Sequence, residues 1–293
     1  MQNIVFVLCE GPHDVAFLYR ILRTVGFKNY SEKIKDFPEP MDSFIIQSVK
    51  KTAIEEMKLE EIRSRPIPSE ALAYRNDSLF LMYSVHGDSK KPVRKKIIES
   101  VSEIIPTDPD GFNPLENVNF SILYFFDADN RGIAGRLQEI KSELAEFSKS
   151  KTDDDFTGNA CFHEIDGIRY GAYIFAKKDG KGNLEDILLP LMKEDNQEIF
   201  EKAEQYLELK KDDSRLKKLK IQEKGGKITE KRTGGKMKFD LLKSEICVAG
   251  QLQNSGKSNV VIIKDCDYIT LNKINDSHEC QEIVKFFKKC LRQ

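Results

Sequence analysis

The chain has 293 residues, enough for one large domain or one domain with a sizeable appendage, and for a substantial core. Its 40% hydrophobic and 32% charged content describe a soluble, rather polar globular protein, and its net charge of −1 gives the whole molecule no preference for nucleic acid or membrane. No apolar run approaches the roughly 20 residues that span a bilayer, and the first apolar run is short and lacks a basic flank, so the expectation is a cytoplasmic protein with no membrane partner. Six scattered cysteines without a C-x-x-C pair argue against structural zinc and a disulfide framework.

Ile4 to Leu8 is a continuous β-branched and aromatic run, the pattern of a strand buried on both faces of a mainly parallel sheet. Glu10, Gly11 and Pro12 end it. Pro12 suits the first position of a helix. Val15, Leu18, Ile21, Leu22 and Val25 then recur at helical spacing, and Gly26 closes the helix. Residues 27–77, punctuated by Pro38, Pro40, Pro66 and Pro68, read as an insertion over one sheet edge, helical from Ile45 to Ile62. Ser78 to Val85 is a second buried strand, ending near Gly87, and Pro92 to Ile105 a helix. Asn119 to Phe126 is a third strand, running into Asp127-Ala128-Asp129, with a helix over Ile133 to Phe147. Tyr170 to Ala176 is a fourth, followed by Lys177, Lys178 and a glycine-rich turn before a helix from about Leu184.

The chain then reads as helical and charged to about Leu219. Residues 210–238 hold twelve Lys or Arg against four acids, with Gly-Gly pairs at 225–226 and 234–235. Phe239 to Val248 and Ser277 to Leu291 read as closing helices, the last with capping-box spacing at Asp276 and Glu279. Four rounds of strand and helix predict an α/β fold: a doubly wound, mainly parallel sheet over 1–190, with an inserted segment at 27–77 and a helical extension over 191–293. Ligands bind such sheets beyond the carboxyl ends of the strands, at a switch in strand order. Glu10, Gly87, Asp127 and Lys177 each end a predicted strand, so they are expected on one rim.

Asp127 and Asp129, at i and i+2, share a side if the strand continues that far. Two adjacent carboxylates repel unless a cation lies between them, and an all-oxygen site suits Mg²⁺. Glu10 completes the set or acts as a general base, and Asp14 lies one turn into the first helix. Each acid also has a plainer reading. Strand-to-helix loops are rich in Asp as caps, the helix dipole accounts for Asp14, and Asn183 with Asp186 has capping spacing, so that Glu185 and Asp186 open a helix. Acids following buried strands at two separate places favour the site.

Glu10-Gly11 with Asp14, a glycine after the second strand, and Asp127-Ala128-Asp129 after the third together resemble the Toprim domain. That module is shared by topoisomerases, bacterial primases and nucleases of the overcoming-lysogenisation-defect type. The resemblance covers residues 1–190. It implies a Rossmann-like sheet on which Glu10, Asp127 and Asp129 hold Mg²⁺ (or Mn²⁺) for phosphoryl transfer or phosphodiester cleavage, with Asp14 as the extra acid of the nuclease branch. Gly180 to Asp186 resembles a later acidic motif of small Toprim-like proteins. There is no G-x-x-x-x-G-K-[ST] motif; Gly250 to Lys257 comes near with the wrong spacing. No tyrosine lies in a recognisable strand-passage domain, and no cysteines are spaced for zinc. The chain therefore resembles a stand-alone member.

Lys217, Lys218, Lys220 and Arg232, in the basic stretch, are candidates for contact with DNA or RNA phosphates; the plainer reading is a solvated charged surface. Lys177 is a candidate catalytic cation, able to stabilise a transferring phosphoryl group, against an ordinary surface lysine. His13, beside Glu10, is a candidate for positioning water or a surface helix start. Three functions follow: a metal-dependent nuclease, a non-catalytic module that binds nucleic acid, nucleotide or a protein, and phosphotransfer on a small molecule.

Overall fold

A computed structural model of the chain describes residues 3–50, 67–75, 77–85, 91–105, 115, 117–147, 156–209, 218–233 and 240–291. Gly87, Lys217 and most of the helix expected over Ile45 to Ile62 lie outside them, as do the side chain of Lys218 and the second Gly-Gly pair. Among the described residues no helix is long and apolar enough to cross a membrane.

The fold is α/β, with a seven-stranded, mostly parallel sheet between two layers of helices. Four strands form its parallel centre: β1 (Asn3–Cys9), β4 (Ser78–Ser84), β5 (Asn119–Asp127) and β7 (Ile168–Phe175). These are the four strands expected from the sequence. Three shorter antiparallel strands extend the edges: β2 (Lys28–Asn29) and β3 (Glu70–Tyr74) beyond β4, and β6 (Cys161–Ile165) beyond β7. The order is β2-β3-β4-β1-β5-β7-β6. The chain moves from β1 to β4 on one side, then crosses to β5 on the other. The order of winding therefore reverses between β1 and β5, which opens a crevice at their carboxyl ends.

Both sheet faces are covered, which is why the central strands are continuous apolar runs. Val5, Val7 and Cys9 face one layer, built from α1 (Pro12–Thr24) and helices of the last third of the chain. Ile4, Phe6 and Leu8 face the other, built from α2 (Met41–Lys50), α3 (Lys91–Ile104) and α4 (Gly132–Phe147). Pro12 starts α1 as expected, and Gly26, at φ +96°, ends it where a side chain would be strained.

After β7 come α5 (Glu185–Lys193) and α6 (Gln197–Leu207), then α7 (Leu241–Gln253), α8 (Asn259–Asp265), α9 (Leu271–Asp276) and α10 (His278–Cys290). On Phe125 of β5, Phe287 of α10 stacks and Phe286 packs edge-on, so the carboxyl-terminal helices share one core with the sheet. The cap of α10 is Ser277, whose hydroxyl accepts from the Cys280 N–H at 3.2 Å; the box expected at Asp276 is displaced because Asp276 ends α9.

One stretch departs from the expected helical extension. Residues 218–233 form an antiparallel hairpin, β8 (Lys218–Lys224) and β9 (Lys227–Thr233). The turn is Gly225-Gly226, both at positive φ (60° and 73°), as a two-residue hairpin turn requires.

The tightest seam lies at Gly171 of β7. A Cβ there would meet the Phe162 ring at 2.8 Å and Leu123 and the Phe286 ring at 2.9 Å. Aromatic rings packed on both sides cannot yield cheaply, so Gly171→Ala is expected to cost about 1–3 kcal/mol. Urea denaturation checks this, and an unchanged midpoint would mean that α10 is not seated on the sheet as described.

Candidate active site

The crevice between β1 and β5 holds a cleft of about 410 Å³ lined by Glu10, Gly11, Pro12, His13, Asp14, Asp127, Leu184, Glu185 and Lys243. Four of these are acids, and they come from four places: the end of β1, the first turn of α1, the end of β5 and the start of α5. Glu10 follows β1 and prolongs its pairing with β5, its N–H donating to the Phe125 carbonyl at 3.1 Å. Its carboxylate turns across the switch point and accepts from the Asp127 N–H at 3.1 Å. Asp127 ends β5. Its Oδ1 accepts the Leu184 N–H at 2.8 Å, at the amino-terminal end of α5, where a negative group is favoured.

Asp14 is 5% exposed. Its Oδ2 accepts the Gly11 N–H at 2.9 Å, so it does cap α1, as its plainer reading held. Its Oδ1 is buried and has no hydrogen-bond partner among the described residues. A cap alone does not account for that second oxygen, because a buried acceptor left unpaired costs about 1–3 kcal/mol. Glu185, also buried, accepts from His13 Nδ1 at 3.0 Å and lies 3.6 Å from Lys243 Nζ.

Burial raises the Asp127 carboxyl, and the charge of Glu10 raises it further, to about 8, against the restraining bond from Leu184. Burial, then the charge of Asp127, pushes Asp14 well above the ordinary carboxyl range. Lys243 is half-exposed: burial works against its charge, but Glu185, Asp240, Asp127 and Asp14 together raise it. The Cys9 thiol is raised by burial and by Asp14, which removes it as a nucleophile.

Asp129 does not line the cleft. The strand ends at Asp127, and Asp129 turns to φ +47°, so the extended geometry behind the i and i+2 argument is broken, although the charge of Asp129 still reaches and helps to raise Asp127. Its carboxylate pairs with the guanidinium of Arg136 at 2.9 Å. Arg136 also donates to the Asp127 carbonyl at 2.8 Å and lies 3.9 Å from Glu10 Oε2. Lys177 is exposed on the loop after β7 and does not line the cleft; the cation that does is Lys243. Asp186 caps α5, its Oδ2 accepting the Asn183 N–H at 2.9 Å and its own N–H reaching Asn183 Oδ1 at 3.3 Å. The Gly180 to Asp186 segment serves as a brace: Gly182 exchanges two backbone bonds with Asp129, and at φ +109° a Cβ would sit 2.5 Å from Asp186 Oδ2. Lys220 and Arg232 are exposed on the hairpin.

Lys243 is the residue that sequence reasoning missed. It lies in an expected helix some sixty residues beyond the last acid of the site, and no local pattern marks it.

The Mg²⁺ or Mn²⁺ that the Toprim resemblance implies meets an all-oxygen donor set here, with one buried carboxylate oxygen still unpartnered. Among the described residues, no three His, Cys, Asp or Glu side chains close into a ready metal cage. Mg²⁺ takes one or two carboxylates and keeps waters and substrate phosphate as its other ligands, so the donors fit its habit.

Fold and site together define an α/β protein with an acidic cleft at the switch point of a doubly wound sheet. Residues 4–292 match the family model described as "Protein of unknown function (DUF3226)", and the chain belongs to that family. No curated protein and no solved structure matches it.

Two predictions follow from the electrostatics. Asp127 binds a proton in the folded chain up to about pH 8 but releases it near pH 4 when unfolded. The folded state thus holds more protons between those values, and stability of the metal-free protein falls as pH rises through that window. Asp127→Asn flattens the slope, which urea titrations at pH 5 and pH 8 measure. Arg136→Met leaves the Asp127 carbonyl without its buried donor, at a cost of about 1–3 kcal/mol. The lost ion pair adds little, because Asp129 is 47% exposed and rehydrates. Thermal melts of both proteins test the size of that loss.

Proposed function

We propose that this chain is a Mg²⁺- or Mn²⁺-dependent enzyme that cleaves phosphodiester bonds in DNA or RNA, in the cytoplasm, on a Toprim-like core. One observation carries the reading: Glu10, Asp14, Asp127 and Glu185 converge on one cleft at the switch point, buried closely enough that Asp127 keeps its proton to about pH 8. Such a gathering is costly as structure, and strongly raised acids in a cleft favour a functional origin. The order of Glu10-Gly11 and Asp127-Ala128-Asp129 in a Toprim-like sequence supports the same reading.

Glu10 and Asp127 would hold the ion, and Asp14 would lend charge from behind. When bound, the ion polarises a phosphoryl oxygen and makes its water more acidic. Glu10, at the solvent side of the group, is placed to take a proton from water. Lys243, half-exposed on the lining of the cleft and 3.6 Å from Glu185, is placed to draw a phosphate into it. His13 keeps Glu185 oriented through its Nδ1. Asp129, held by Arg136, stays outside the reacting group and braces it.

A second reading, a non-catalytic module that binds nucleic acid, nucleotide or a protein, is favoured by that same Arg136–Asp129 pair, which already neutralises part of the acidic rim.

Incubation with supercoiled, linear and single-stranded DNA and with RNA, with Mg²⁺ or Mn²⁺, tests the reading. The wild type is expected to cut at least one substrate, and a chelator to stop it. Glu10→Gln and Asp127→Asn are each expected to lose about a hundredfold in rate, or about 2.7 kcal/mol in barrier. Asp129→Asn loses less. Equal cutting by all variants would sink the assignment of the site, and no cutting of any substrate would transfer the assignment to the binding module.

A further inference from the structure

The hairpin 218–233 stands apart in character from the rest of the fold. Apart from Gln222, every residue with a described side chain in it is exposed, so neither of its faces is covered. Its pairing register sorts the residues by face, because directly opposed residues in an antiparallel pair project to the same side. Lys220 opposes Lys231, Gln222 opposes Thr229, and Lys224 opposes Lys227. That face carries four lysines and no acid. The other face pairs Leu219 with Arg232, Ile221 with Glu230 and Glu223 with Ile228, so its charges are mixed and its centre is apolar. A stretch that is merely basic in sequence is therefore strongly one-sided in structure.

Lysines placed directly opposite one another repel and lower the stability of the ladder. Two such pairs flank a polar pair on a ribbon whose described side chains, Gln222 apart, are exposed on both sides. A solubilising surface needs no such segregation; interspersed charges serve better. The arrangement complements a surface that is itself densely negative. A two-stranded ribbon also has the width that the major groove of duplex DNA admits, and phosphates line both rims of that groove. Seven residues per strand give an arm of about 23 Å. The chain from Thr233 to Asp240 can span at most about 25 Å, and Asp240 caps the helix that carries Lys243 into the acidic cleft. The root of the arm is thus tethered near the site.

We propose that the lysine face of this hairpin (Lys220, Lys224, Lys227 and Lys231) is a docking surface for the phosphate backbone of duplex nucleic acid, without base selectivity, and that it delivers the duplex to the cleft. This rests on the reading of the cleft as a phosphodiester site, and it moves Arg232 off the binding face. Charge complementarity decides the occupant. The lysines offer point charges for phosphate rather than the forked guanidinium donors suited to reading guanine.

Fluorescence anisotropy with a labelled 30-base-pair random-sequence DNA, in chelator and at 50 to 200 mM salt, tests the docking without cleavage. Four phosphate contacts are expected to weaken binding about a hundredfold across that range. Changing all four lysines to Gln is expected to remove most of the salt dependence and at least tenfold of the affinity at 50 mM. Leu219→Ser with Ile221→Ser and Ile228→Ser, on the opposite face, is expected to change neither. An unchanged salt slope in the lysine variant, an equal loss in the apolar-face variant, or no binding by the wild type would overturn the docking surface. Asp127→Asn, assayed in parallel, separates the two claims. Binding retained with cutting unaffected indicts the cleft alone, whereas cutting lost in Asp127→Asn but binding unmoved in the lysine variant indicts the arm alone.

Discussion

The buried guanidinium of Arg136 fastens the rim on which the rest of the site depends. It reaches from α4 to the Asp127 carbonyl at the end of β5, to Asp129 in the turn beyond and to Glu139 on its own helix. Glu10, at the end of β1, lies 3.9 Å away. A guanidinium can serve this many oxygens because its donors are fixed in a plane and it stays charged when buried. A lysine would offer a single point of charge. The end of the strand, the turn and the start of the helix are therefore held in one arrangement before any ligand arrives, and the neighbouring carboxylates are packed against a rigid wall.

How much of this was legible in the residues depends on how each signal arises. The four central strands were legible because a strand covered on both faces must be apolar nearly throughout, as Ile4–Leu8 and Ile122–Phe126 are. The edge strands were not: β2 has only two residues, and β3 and β6 are half-exposed, so neither apolar run nor clean alternation marks them. Glu10 and Asp127 followed from the rule that strand ends gather at one rim. Asp129 did not behave as its spacing suggested, because a positive φ breaks the extension on which that argument stood. The hairpin did carry a signal, a Gly-Gly turn between two runs of alternating character. High charge concealed it, since the alternation separates lysine from isoleucine rather than core from solvent. Lys243 carried no signal at all, because only tertiary packing brings α7 to the cleft.

The acids come from the first two thirds of the sequence and the cation facing them from the last third. Phe286 and Phe287 pack directly onto Phe125 of the strand that ends in Asp127. The carboxyl-terminal helices are thus a wall of the sheet, and α7 is also a wall of the cleft. Their helices bury the face of β1 that carries Val5, Val7 and Cys9. The low-dielectric setting that lifts Asp127 is made in part by the carboxyl-terminal helices, so the chemistry of the rim depends on the whole chain being folded.

The two cations at this rim differ in a way that divides it into a structural and a chemical half. Arg136 is 2% exposed on its side chain and spends its donors on a carbonyl and on fixed carboxylates. It cannot turn toward a ligand without breaking the end of β5. Lys243 is 46% exposed, on a flexible stem, and lies at 3.6 Å from Glu185 without a tight bond. Its stem can swing toward a phosphate while buried Glu185 keeps its bond from His13. Asp129 belongs with Arg136, in the half that holds shape. Glu10, Asp14, Asp127 and Glu185 belong with Lys243, in the half whose charge is left unbalanced. An incoming cation would relieve repulsion in that second half, where burial and neighbouring charge raise Asp127 and Asp14.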